Sequence, residues 1–165
     1  MTRTLILMRH AKSSWDDPAL DDHDRLLNKR GKRASVALGD WLRDQSWLPD
    51  QALVSDSRRT RDTFERLNLS PETTFTSSLY HASSADMQLV LEMATGNTVL
   101  MVSHNPGISE FASDMVQTPP RHRKFNDFPT GATIVMRFDI DSWDKVDAGM
   151  GKVLDFITPR ELTSD

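Results

Sequence analysis

Leu5-Ile6-Leu7-Met8-Arg9-His10 is the stretch on which the fold turns. Four apolar residues run without a break and end on a guanidinium and an imidazole. An unbroken apolar run suits a strand buried on both faces, and such strands occur mostly in parallel sheets covered by helices on each side. Ala52-Leu53-Val54 and Val99-Leu100-Met101-Val102 repeat the pattern. Between these runs the apolar spacing changes to i, i+3, i+4, i+7. One stripe is Ala34, Ala37, Leu38, Trp41 and Leu42; the others run through Thr60–Leu67, Met87–Ala94 and Ile108–Met115. Strands alternating with amphipathic helices predict an α/β fold with three α/β/α layers around a mostly parallel open sheet. Ala132, Ile134, Met136 and Phe138 alternate instead, and Val153–Ile157 forms another apolar run. Paired as a hairpin through the turn-rich Asp139–Gly151, these two predict an antiparallel edge strand. No repeat, low-complexity tract or linker interrupts residues 1–165, so a single domain is expected.

Composition narrows the chemistry. Without cysteine, disulfide scaffolds, thiol nucleophiles and cysteine-based metal sites are excluded. The 20 Lys+Arg against 24 Asp+Glu leave a net charge of −4, which argues against a nucleic-acid partner. The run Arg121-His122-Arg123-Lys124 lacks interleaved aromatic residues and reads better as a rim that attracts acidic phosphoproteins. No apolar stretch approaches the ~20 residues needed to span a bilayer. A cytoplasmic monomer with no membrane partner is expected. Two connections, Ser13–Arg25 and Gln117–Thr130, are long enough to be functional lids, and solvated surface loops are an equal alternative. The aspartates of Ser13–Arg25 lack calcium-loop spacing, which favours a solvated acidic loop there.

In open α/β sheets, ligands bind at the carboxyl ends of the strands. The first run ends on Arg9-His10; Ala52–Val54 leads to Ser55, Arg58 and Arg59; Val99–Val102 leads to Ser103-His104-Asn105-Pro106. Three strand ends thus bring two histidines and several arginines to one rim. Ser57 reads as the N-cap of the helix that follows, with Arg58, Arg59 and Arg61 in its first turn. Cations there oppose the helix dipole at a cost of ~0.3–1 kcal/mol each. A bound dianion would resolve that conflict, since helix N-termini and arginine both bind phosphate. Asn105-Pro106 similarly reads as an N-cap followed by proline at the first helical position.

Taken together, Leu7-Met8-Arg9-His10-Ala11-Lys12, Val54-Ser55-Asp56-Ser57-Arg58-Arg59-Thr60-Arg61-Asp62-Thr63 and Val102-Ser103-His104-Asn105-Pro106 resemble the three signature blocks of the histidine phosphatase superfamily, which is phosphoglycerate mutase-like in fold. Asp24-Arg25-Leu26-Leu27-Asn28-Lys29-Arg30-Gly31 is similar to its intervening stretch. Lys12-Ser13-Ser14-Trp15 and Thr158-Pro159-Arg160 look most like the SixA-type phosphohistidine phosphatase branch. The resemblance implies His10 as a nucleophile that becomes transiently phosphorylated. It implies Arg9, Arg59 and His104 as catalytic and phosphate-binding residues and Arg25 as a third, more mobile arginine contact; Asn105 is expected to join them in binding the phosphate. Leu26 departs from the proline usual in this branch.

A second departure bears on substrate. Larger members of the superfamily carry a glutamate acid soon after the third strand, where this chain has Leu79-Tyr80-His81-Ala82-Ser83. The next carboxylate, Asp86, is accounted for by a place in the first turn of a helix. An alkoxide leaving group, whose conjugate acid has a pKa near ~16, needs proton donation. Imidazole leaving from phosphohistidine, with a pKa near ~6.5, needs far less. The expected activity is therefore metal-independent hydrolysis of protein phosphohistidine without a cofactor, with His81 as a weak acid. The alternatives are a small-molecule phosphomonoesterase acting on a sugar or nucleotide phosphate, or a phosphate-binding module without turnover.

Overall fold

The structure, a computed structural model, describes residues 1–163. Six strands form one sheet: β1 (Arg3–Arg9), β2 (Gln51–Ser55), β3 (Glu72–Thr76), β4 (Thr98–Ser103), β5 (Thr133–Phe138) and β6 (Lys152–Ile157), in the order β3-β2-β4-β1-β5-β6. The helices are α1 (Lys29–Asp44), α2 (Arg58–Arg66), α3 (Ser84–Glu92), α4 (Gly107–Met115) and the short α5 (Pro159–Leu162).

β1 lies inside the sheet, parallel to β4 and antiparallel to β5. Leu5, Ile6, Leu7 and Met8 are all fully buried, which is why their run is continuous. Successive residues serve opposite faces. Leu5 and Leu7 pack with Met87, Leu91, Ile108 and Phe111 of α3 and α4. Ile6 and Met8 pack with Leu38, Leu42 and Phe64 of α1 and α2. The architecture is thus a three-layer α/β/α fold. The expected hairpin joins β5 to β6, which forms the sheet edge antiparallel to its neighbour; β5 is the strand reversed against the rest. β3, whose sequence Glu72-Thr73-Thr74-Phe75-Thr76 shows no apolar run, forms the opposite edge, where its residues are exposed or half-buried.

Strand register sets the site. Arg9 of β1 stands opposite Ser103 of β4, and Val54 of β2 opposite Val102 of β4. Three parallel strands therefore end level, with Ser55 the last residue of β2 and His10 and His104 leaving the sheet together just past it. β5 begins at this same rim, where the Gly131 N–H donates to the His10 carbonyl at 2.9 Å. Gly131 has φ +77°, a conformation that glycine adopts without a Cβ clash.

Candidate active site

A cavity of about 440 Å³ opens at the carboxyl ends of β1, β2 and β4. Its wall includes Arg9, His10, Lys12, Arg25, Arg59, His81, His104 and Asn105, so the structure brings all the sequence-predicted site residues to one cup. The two imidazoles lie 5.2 Å apart between ring centroids.

Each side chain is fixed by its element. The His10 N–H of the main chain donates to the Ser103 carbonyl, and the Ala11 N–H to Thr63 Oγ1 of α2. His10 Nδ1 lies 2.7 Å from the Ala11 carbonyl, a contact that requires the proton on Nδ1 and leaves a lone pair on Nε2. Burial, reinforced by the charges of Arg59, Arg9 and Arg25, outweighs the Ala11 bond and pushes the His10 pKa down to about 3. His104 Nε2 lies 2.8 Å from Ser55 Oγ, and its Nδ1 accepts from Arg59 Nη2 at 3.3 Å. Burial, with the charge of Arg59 and the repulsion that a second protonated ring at His10 would add, takes this ring down to about 2. Both histidines are therefore neutral near neutral pH, and His104 keeps its proton on the Ser55 side.

Ser57 caps α2 by accepting from the Thr60 N–H. Of the three arginines in the first turn of that helix, only Arg59 turns into the cup. Arg58 pairs with Asp62 at 3.6 Å, while Arg61 donates to the Asp56 carbonyl and covers the Phe75 ring. Buried Arg59 directs its Nε toward His10 Nε2 at 3.4 Å. Arg9 donates through Nη1 to the Phe128 carbonyl, and its Nε is buried with no protein acceptor among the described residues. Arg25, expected as a mobile contact, is instead pinned: Nη1 donates to Ser13 Oγ at 2.8 Å, Nε to Asp22 at 3.1 Å, and the guanidinium lies 3.6 Å from the Trp15 ring centre.

Two expectations need correcting. Asn105 does not cap α4, because Pro106 holds the N-cap position; the Asn105 amide instead donates to the Asp127 and Phe128 carbonyls. Tying down residues 127–128 outcompetes the local cap. Nor is the Ser13–Arg25 segment simply a solvated acidic loop. Asp22 reaches across it to Arg25, Arg59 and Tyr80. Five similar aspartates in that segment carried no signal that one of them pairs with an arginine 37 residues away. Asp86 forms the expected helix-start contact, in a capping box with Ser83. His81 stands exposed on the rim at φ 58°, with its ring centre 4.0 Å from that of Tyr80.

Comparison with known proteins gives a consistent set. Residues 5–79 match the histidine phosphatase superfamily (branch 1). An uncharacterized chloroplastic protein of Arabidopsis thaliana is 34% identical over 128 residues, covering 68% of this chain; the chain spans 59% of that relative's length. An uncharacterized protein of Mycobacterium tuberculosis (strain CDC 1551 / Oshkosh) is 30% identical over 160 residues, covering 93% of this chain and 100% of the relative. Among solved structures, a protein assigned as a phosphohistidine phosphatase SixA from Nakamurella multipartitia superposes with TM-score 0.86 at 26% identity, covering 96% of this chain and 97% of that one.

Proposed function

Because the chain belongs to the histidine phosphatase superfamily, in its SixA-type branch, we propose that residues 1–165 form a single-domain, metal-independent phosphatase that acts on protein phosphohistidine through a phosphorylated His10. The observation that carries this reading is the His10 ring: Nδ1 is tied to the Ala11 carbonyl, and the Nε2 lone pair faces the Arg59 guanidinium.

Phosphoryl transfer asks mainly for positioning and for charge around the equatorial oxygens. Nε2 of His10 attacks phosphorus while the bond from phosphorus to the substrate nitrogen breaks; the substrate ring, protonated on its other nitrogen, takes the electron pair and departs as neutral imidazole. Water then attacks the phosphohistidine, releasing inorganic phosphate and restoring neutral His10. Arg9 and Arg59 grip the oxygens, and the otherwise unmatched Arg9 Nε is a donor that one of them would satisfy. These guanidinia supply the counter-charge that a metal ion supplies in other phosphoryl-transfer enzymes. A bound dianion also favours protonation of His104, whose Nδ1 then turns from acceptor to donor toward a phosphoryl oxygen.

The P–N bond is favoured over an ester by the state of the acids at the rim. Hydrogen bonds from Tyr80 and arginine keep Asp22 ionised despite its partial burial, and Tyr80, raised to about 12 by desolvation and by its bond to Asp22, keeps its proton and directs it at that carboxylate as a hydrogen bond. An ester substrate would instead depend on His81 as its proton donor. In the cell we place this enzyme in the cytoplasm as a monomer.

The test is to incubate the protein with radiolabelled phosphohistidine-bearing protein, in the presence of a chelator, and to quench early. Label bound in acid-labile, base-stable form to wild type and absent from His10→Ala is expected. Equal turnover by His10→Ala would overturn the nucleophile. Labelling and turnover far faster with a sugar or nucleotide phosphate than with phosphoprotein would replace the substrate assignment by the ester reading.

A further inference from the structure

Asp22 is the only carboxylate among the described residues on the wall of the cup, and it faces cations there. Three donors from separate parts of the chain converge on its two oxygens. Arg25 Nε reaches Oδ1 at 3.1 Å, Arg59 Nη2 reaches Oδ2 at 3.0 Å, and the Tyr80 hydroxyl reaches Oδ2 at 2.6 Å. Arg59 Nη1 also donates to the Asp22 carbonyl at 2.6 Å, fixing the short turn that carries the side chain.

Arg59 therefore works along two edges. Its Nε and Nη2 face the two histidines, while its Nη1 and Nη2 face Asp22. Nη2 is shared, with one hydrogen directed to each side. An anion seated beside His10 Nε2 would thus be a neighbour of the Asp22 carboxylate across a single nitrogen. Two guanidinium donors and a phenol arranged around a carboxylate are also what an anionic group on a ligand would require.

We propose that Asp22 plugs a second anion subsite from within the chain, so that the cup admits a lone phosphoryl group and discriminates against ligands with another negative group close to it. The inference rests on the reading of His10 as the phosphoryl acceptor and sharpens its substrate class. A phosphoryl group on an uncharged side-chain nitrogen fits. A compact polyanion must either displace Asp22 from its three donors or meet its charge, and this built-in repulsion is a source of specificity.

Calorimetric titration of wild type, Asp22→Ala and Asp22→Asn with inorganic phosphate and with pyrophosphate tests this without any need for turnover. Relative to wild type, the ratio of the two dissociation constants is expected to shift toward pyrophosphate by about tenfold or more in Asp22→Ala, the worth of one charge-assisted hydrogen bond. Asp22→Asn, which keeps the side-chain volume without the charge, is expected to shift it in the same direction by less, and it stands in should Asp22→Ala not fold. An unchanged ratio, or equal weakening of both ligands, would overturn the inference, because Asp22 would then only hold Arg59 in place. That result would leave the proposed function standing. Failure of phosphate to bind wild type at all would remove both.

Discussion

His10 and His104 are buried among cations in a neutral form, and this ties the fold's stability to pH. Each has a folded-state pKa far below the ordinary 6.5, at about 3 and about 2. Below about pH 6.5 the unfolded chain takes up protons that the folded chain refuses, so stability falls on acidification. The contribution of these rings is fully present above the unfolded value and is lost progressively as the pH drops toward the folded ones. The urea midpoint is expected to fall between about pH 7 and about pH 5, and less steeply in His10→Gln, which removes one of the two groups. Asp22, whose pKa is depressed, acts in the same direction, but its window begins near the ordinary carboxylate value of 3.8 and lies below this range. A midpoint with the same slope in both proteins would show that His10 is not held neutral. Residues of this kind were only partly legible in the sequence. Arg9 and His10 follow directly from the end of a strand. The choice of Arg59 over Arg58 and Arg61 depends on which way one helical turn faces, and Asp22 depends on a contact made by a loop.

At the scale of elements, α1 is positioned by the absence of a side chain. A Cβ on Gly31 would lie 2.1 Å from the Lys12 carbonyl oxygen, two residues past His10. The backbone must move to admit it, since no flexible side chain is there to give way. Gly31→Ala is expected to destabilise the fold by about 1–3 kcal/mol, read as a lower urea midpoint at unchanged slope, and to lower kcat by displacing His10. Wild-type stability and kcat in that variant would refute the close approach. The helices and inner strands are legible because burial imposes a period on their sequences. β3 escapes the same reasoning because it is an edge strand with exposed and half-buried residues, and its polar sequence carries no buried run. Asn105 reads as a helix cap on local grounds, and a tertiary contact with residues 127–128 takes its side chain instead.

Across the whole molecule, charge is unevenly distributed. The chain carries a net −4, yet adjoining hollows lead away from the cup along Lys12, Arg30, Arg160, Arg123 and Lys124. Successive hollows share Lys12 and Thr130, then Arg30 and Arg160, so the basic surface is continuous with the cup. Such a surface steers an acidic partner and weakens with ionic strength as the screening length shortens from about 10 Å at 0.1 M salt. The KM for an acidic phosphoprotein is expected to rise with salt, and to rise at low salt in Arg123→Glu/Lys124→Glu, more steeply than the KM for p-nitrophenyl phosphate. Parallel changes for the two substrates would confine recognition to the cup itself.

One main-chain oxygen, that of Phe128, receives both Arg9 from β1 and Asn105 from the turn after β4. The segment that carries it is a clasp: lifting it would uncouple Arg9 from its scaffold and open the wall of the cup it was meant to uncover. Among the described residues the opposite bank has no such tie to the sheet; it presents the exposed Trp15 indole, stacked on Arg25, to whatever enters.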